Sequence, residues 1–351
     1  MAKIRFEELI YITAKENTLN MSDVEIVVDG LVQDLYEDAF DDEFGSEFSE
    51  TTYQASPRKK LRDIVGLFER DDLQIFGTAD EYHNVAVNYA RQNLYDGACR
   101  ILQRGRRAIP YSVDILADLI KYGISGGQYE VGEESYHVLS GISRECWNWR
   151  AFSFSIDYLI AKADQVEAET ERSELKKQAL ALADQFIAKE NADQAYFDKS
   201  TILRAFGNDD LNNQTEESVL QLGLKQVKAA PKCALRLADI LFEKGEYQRV
   251  IANLWQCCTN VFKPQPDING NYAFLLLALS KASQIFAEQR DNYADAEQSI
   301  LSVYRDFHTA MDSGLNGIFN KTAKVALKVI ETQTGIEYPY RDVGGDDIYE
   351  A

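Results

Sequence analysis

Three histidines are the first residues to weigh for chemistry: His83, His137 and His308. A zinc or iron site needs ligands clustered at spacings such as i, i+4 on one helix, or C-x-x-C, and none of the three stands in such a pattern. The five cysteines are an odd number without regular spacing, which fits a reducing compartment better than a disulfide framework. Cys257 and Cys258 are adjacent, so on a helix their thiols point about 100° apart and cannot share one metal. Cys146 stands beside Trp147 without a local Cys/His motif. Gly123, Gly126 and Gly127 match neither phosphate-loop spacing, and Val343-Gly344-Gly345 precedes acids rather than Lys-Ser/Thr. No G-x-S-x-G, H-E-x-x-H or kinase signature occurs. The expectation is a chain without enzymatic activity, metal or cofactor.

The composition narrows the partners. Of 351 residues, 57 are Asp or Glu and 37 are Lys or Arg, a net charge of -20. Such a surface repels nucleic acid and anionic membranes, so neither is an expected partner. Hydrophobic residues make up 45% of the chain, enough for a folded core. No apolar run reaches the roughly 18 residues that span a bilayer. The opening MAKIRFEELIYITAKEN carries acids within its apolar stretch and lacks a small-residue cleavage site. A cytoplasmic protein is expected.

The elements behind these residues read as helices. There are only six prolines, and segments such as SELKKQALALADQFIAKE repeat apolar residues at i, i+3, i+4 and i+7. Val24 to Val32 is the nearest thing to a strand. From Ala79 to Pro110 the sequence places Tyr82, Val85, Ala86 and Tyr89, then Ala98, Leu102, Gly105 and Pro110. Small residues at Ala86 and Ala98 let two antiparallel helices approach, and large ones fill the gaps beside them. Leu116, Leu119, Ile120, Gly132, Tyr136 and Leu139 repeat these phases, with Gly126 and Gly127 as the turn. A further unit from Pro231 carries Ala234, Leu237, Ala238, Leu241, Gly245, Tyr247, Val250, Leu254 and Cys257. Weaker units cover Trp147 to Asn191, Ala195 to Pro231 and Asn271 to Phe307, and Ile318 to Thr332 reads as a capping helix.

This pattern resembles the tetratricopeptide repeat, a helix–turn–helix unit of about 34 residues. The resemblance implies an all-α, right-handed α-solenoid of antiparallel helix pairs, whose groove is lined by the first helix of each pair. By family phase the groove positions are Asp80, His83, Asn84, Val87 and Arg91 in the first unit and Asp114, Asp118 and Lys121 in the second. Phe152, Ser155 and Tyr158 follow in the third, then Arg236 and Asp239. Relatives that grip a peptide carboxylate use a Lys/Asn/Arg set there. Here that set is incomplete and interrupted by acids, so a basic or apolar protein segment is the better match.

Three regions follow: an N-terminal helical region over 1–56, repeats with their cap over 57–332, and an acidic C-terminal tail over 333–351. Residues 1–20 read as a helix, and Ser56-Pro57 as the start of another. Between them, 34–50 carries acids without a base, and Phe40, Phe44 and Phe48 recur every fourth position. On a helix they would form one apolar stripe, a candidate docking segment. The leading expectation is an interaction scaffold, adaptor or regulatory subunit that binds a partner protein, with self-association open. The alternative is an acidic mimic of nucleic acid that inhibits or senses a basic partner.

Overall fold

The computed structural model describes residues 3–5, 74–76, 78–208, 212–260, 268–288, 293, 296–312, 315 and 317–340. Among them are thirteen α-helices. They fall into two compact units, Met1–Phe186 and Ile187–Ala351.

The first unit opens with two three-residue strands, β1 (Lys3–Arg5) and β2 (Gln74–Phe76), paired in parallel. The helix expected over 1–20 is therefore a strand at residues 3–5, because a second strand about 70 residues on supplies backbone partners that amphipathic periodicity cannot register. The rest of 1–20 and the segment 34–50 with Phe40, Phe44 and Phe48 lie outside the described residues. The helices are α1 (Ala79–Arg91), α2 (Tyr95–Ala108), α3 (Val113–Ser125), α4 (Tyr129–Ser140), α5 (Trp149–Ala163) and α6 (Glu169–Glu190, whose last residues run into the second unit). A short 3₁₀ turn, Arg144–Cys146, precedes α5.

Three of these helix starts are capped by a side chain. Thr78 caps α1 in a reciprocal box: Glu81 N–H donates to the Thr78 hydroxyl, and the Thr78 N–H donates to the Glu81 carboxylate at 2.6 Å, satisfying two otherwise orphaned donors. Ser112 caps α3, and Asn148 caps α5. The turn between α3 and α4 needs a left-handed residue, supplied by Gly127 at φ +72°, where a side chain is disfavoured.

Packing follows the small residues. Ala86 of α1 and Ala98 of α2 are both fully buried, within a core of Tyr82, Tyr89, Ile101, Leu102, Ile115 and Leu119. At Gly123 an added Cβ would lie 2.9 Å from the Gly132 backbone nitrogen, so α3 and α4 meet backbone to backbone. Consecutive helices pack, and so do alternate ones: α1 against α3 and α3 against α5. This is the stacking of helical hairpins with their first helices side by side.

The second unit repeats the scheme with α7 (Asp193–Phe206), α8 (Glu216–Gln226), α9 (Pro231–Glu243), α10 (Tyr247–Asn260), α11 (Ile268–Glu288), α12 (Glu297–Asp312) and α13 (Gly317–Thr334). Here α7, α9, α11 and α13 pack in turn, and α7, α9 and α11 each pack also against the helix that follows. Pro231 sits in the first turn of α9, where its missing N–H would have no partner in any case. Ala230 at the N-cap has no capping side chain. Asp193 of α7 takes that role, accepting from the backbone N–H of Lys232 at 2.8 Å and Cys233 at 3.0 Å. After α13 the chain stays packed: Tyr304 donates to the Ile336 carbonyl at 2.6 Å, Tyr338 is buried, and Tyr340 stacks on His308. The tail expected from residue 333 is thus ordered as far as Tyr340, because three aromatic rings anchor it; 341–351 lie outside the described residues.

Candidate functional site

The face shared by α1, α3 and α5 gathers most of the sequence-derived candidates. On α1, Asp80 and Arg91 are exposed, and His83, Asn84 and Val87 are half-buried. On α3, Asp114, Asp118 and Lys121 share one side. Asp118 is only 1% exposed, so its charge needs partners on the spot. It has two. The His83 Nδ1 lies 2.6 Å from Asp118 Oδ2, and Arg150 Nη1 lies 3.5 Å from Oδ1.

Arg150 on α5 is the hub. Its Nη2 donates to Asp114 Oδ1 at 2.5 Å, and its Nη1 stands 2.7 Å from His83 Nδ1 and 3.1 Å from Nε2. A carboxylate only accepts and a guanidinium only donates. The His83 ring thus stands between an acceptor, Asp118, and a donor, Arg150. Asn148 Nδ2 adds a bond to Asp114 Oδ1 at 2.6 Å while its Oδ1 caps α5. One network therefore links three successive repeats.

Beside it, Lys121 Nζ reaches Asp157 Oδ2 at 3.2 Å and lies 5.3 Å from the centre of the Phe154 ring. Phe154 meets Trp149 edge to face at 6.1 Å, and Trp149 is 46% exposed. Tyr122 lies near Asp118, and burial first, then that carboxylate, raises its pKa. The acids on this face are largely matched by bases within it. That leaves the Trp149–Phe154 edge as its apolar feature.

Phe152, Ser155 and Tyr158 are not on this face. All three are buried. Phe152 stacks on Phe186 at 5.0 Å and packs on Trp147, and Tyr158 donates to Glu133 of α4 at 3.1 Å. That carboxylate is held below its ordinary range chiefly by Lys162, and then by Tyr158. The residues facing α3 are Arg150, Phe154 and Asp157, which the repeat period of about 34 passes over. The helix caps carry the true spacing: Thr78 to Ser112 is 34 residues and Ser112 to Asn148 is 36. The 3₁₀ turn takes up the difference, and Arg144 stacks 3.6 Å over the buried Trp147 ring as the chain enters α5. Two residues are about 200° of helix, enough to exchange the inner and outer faces.

In the second unit, Arg236 and Asp239 lie on α9 as expected, but each is engaged sideways. Arg236 Nε donates to Glu216 at the start of α8 at 2.7 Å, and Asp239 accepts from the Tyr272 hydroxyl of α11 at 2.8 Å. Burial pushes the Asp239 carboxyl above its usual range.

The buried Cys99 thiol is pushed up to about 11 by burial and by Asp96, away from thiolate reactivity. Among the described residues, no group of His, Cys, Asp and Glu is placed to hold a metal ion, and no helix is long and apolar enough to cross a membrane.

No protein-family model matches this chain. No curated protein matches it either. Among solved structures it is similar to a thermophilic TPR protein from Thermus thermophilus, at 14% identity and a TM-score of 0.44, over 59% of this chain and all of that one. The stacked hairpins, with small residues at the helix crossings and first helices side by side, are themselves TPR-like.

Proposed function

We propose that this chain is a non-enzymatic interaction scaffold or regulatory subunit that holds a partner protein on the α1–α3–α5 face. The observation that carries the reading is the Trp149–Phe154 edge. An exposed indole stands against a half-buried ring, beside a network of charges that already satisfy one another. Large aromatics partly exposed on a rigid helix are typical anchors of protein interfaces. The paired charges position the helices and leave little electrostatic surplus for a free anion, so a peptide-carboxylate clamp is a poor fit. The favoured ligand is a segment with an apolar side chain to cover Trp149 and Phe154. A basic residue in the same segment would suit the exposed carboxylate of Asp80.

Affinity capture with the intact chain, followed by identification of the co-purifying proteins, tests the reading. W149A/F154A is expected to lose the captured partner while keeping its helical circular dichroism, with affinity down at least about tenfold. Capture unchanged by the double substitution, or turnover of a small substrate lost with a single carboxylate change, overturns it.

A further inference from the structure

A second surface lies on α13, the last helix of the second unit. Earlier first helices of that unit are flanked on both sides: α9 by α7 and α11, and α11 by α9 and α13. Among the described residues α13 packs on α11 and α12, and no further helix lies along its other side. Terminal repeats ordinarily carry a polar outer face. On α13 two valines interrupt one. Val325 is 53% exposed and Val329 43%. Among the exposed large hydrophobics of the described residues they are the one pair a single helical turn apart.

The 3.6-residue period places Lys321, Val325, Lys328 and Thr332 on one line, with Val329 beside it. Ala323, Leu327 and Ile330 occupy the opposite side and are buried in the unit's core. Lys324 flanks the line, and the one acid of the helix, Glu331, is drawn to the backbone N–H of Tyr338 at 2.6 Å. In a chain of net charge -20, this helix carries three lysines and one acid.

We propose that the outer face of α13 docks an acidic amphipathic helix of a partner protein, which continues the stack. Its apolar residues would cover Val325 and Val329, and its carboxylates would meet Lys321 and Lys324. A short acidic helix senses only the charges within about 8 Å, roughly the physiological screening length. A duplex or an anionic bilayer senses the whole acidic body and is repelled. A second copy docked α13 to α13 would set lysines against lysines.

The probe is a helical peptide of about 18 residues, long enough to match α13, with leucines on one face and glutamates on the other. It is titrated against the intact chain alongside a twin carrying lysines for the glutamates. The glutamate peptide is expected to bind in the range of tens of micromolar, and the twin at least about tenfold more weakly. V325S/V329S is expected to weaken the glutamate peptide about tenfold. K321E/K324E should reverse the preference toward the lysine twin, a gain that misfolding cannot imitate. Absence of binding by the wild type at about 1 mM, or binding indifferent to both double substitutions, overturns the proposal. So does self-association in sedimentation that V325S/V329S abolishes, since the occupant is then a second copy. Because α13 is remote in sequence from Trp149 and Phe154, W149A/F154A leaves this titration unchanged.

Discussion

In the first unit the buried Asp118 meets His83 from one repeat and Arg150 from the next, and Arg150 also holds Asp114. In the second unit the buried Asp306 pairs with Lys281 at 2.5 Å, and the half-buried Asp239 accepts from the Tyr272 hydroxyl at 2.8 Å. Burial is the leading influence on both of these carboxyls and raises their pKa. A charge shared among three helices fixes how the helices lie relative to one another. A carboxyl whose pKa burial raises is a local compromise that costs stability when ionised. The first arrangement keeps a face in register, and the second lets a protonation state leak into the fold's stability.

The sharpest way to break this contrast is at the helix crossings that precede any charge. Gly123→Ala puts a methyl group 2.9 Å from the Gly132 backbone nitrogen, and Gly223→Ala puts one 2.8 Å from the Tyr196 Cβ, which is tied to its own backbone, and 2.9 Å from the Cys233 sulfur. Overpacking of this kind is expected to cost about 3 kcal/mol at either position. Urea denaturation of the two variants checks it. Next comes Arg150→Ala, which leaves Asp118 to His83 and Asp114 to Asn148 and is expected to cost about 2 kcal/mol, below the fully buried limit because Asp114 is partly exposed. Arg150→Lys should recover less than half, since one ammonium cannot span His83 and Asp114 as the planar fork does.

The smallest effect concerns pH. A carboxyl with a raised folded pKa holds its proton more tightly in the fold than in the unfolded chain. Its contribution is therefore present below the ordinary carboxylate range and is lost as pH rises through the raised value. Asp239→Asn, which keeps an oxygen to accept from Tyr272, should gain on the wild type as pH goes from about 4 to about 7, by under about 1 kcal/mol. Glu217 should show the opposite sign. Lys244 first, then Arg249, hold its pKa down, so what it contributes is present above the ordinary range and fades as pH falls. Urea midpoints across that pH range, for D239N and E217Q, distinguish the two slopes.

Much of the fold could be read from spacing. Tyr82, Ala86, Ala98 and Gly132 fall at packing phases because only certain volumes fit where helices cross, and the crossings recur. The face of α5 could not be read the same way. A fixed period carries Asp114 and Asp118 forward to Asn148 and Phe152, whereas contact pairs Asp114 with Arg150 and Lys121 with Asp157, each 36 residues on. Capping residues would have given the right register, because a helix start is set by local chemistry rather than by repeat length. Strand β1 was illegible for another reason: three residues have no periodicity, and their partner lies far along the chain.

The dependence of α9 on Asp193 reaches beyond statics. A helix whose first turn is completed by a residue nearly forty positions upstream has no finished beginning until that earlier hairpin is in place. Such reliance ties the appearance of one repeat to its predecessor during synthesis. It couples opening of the first turn of α9 to opening of the start of α7.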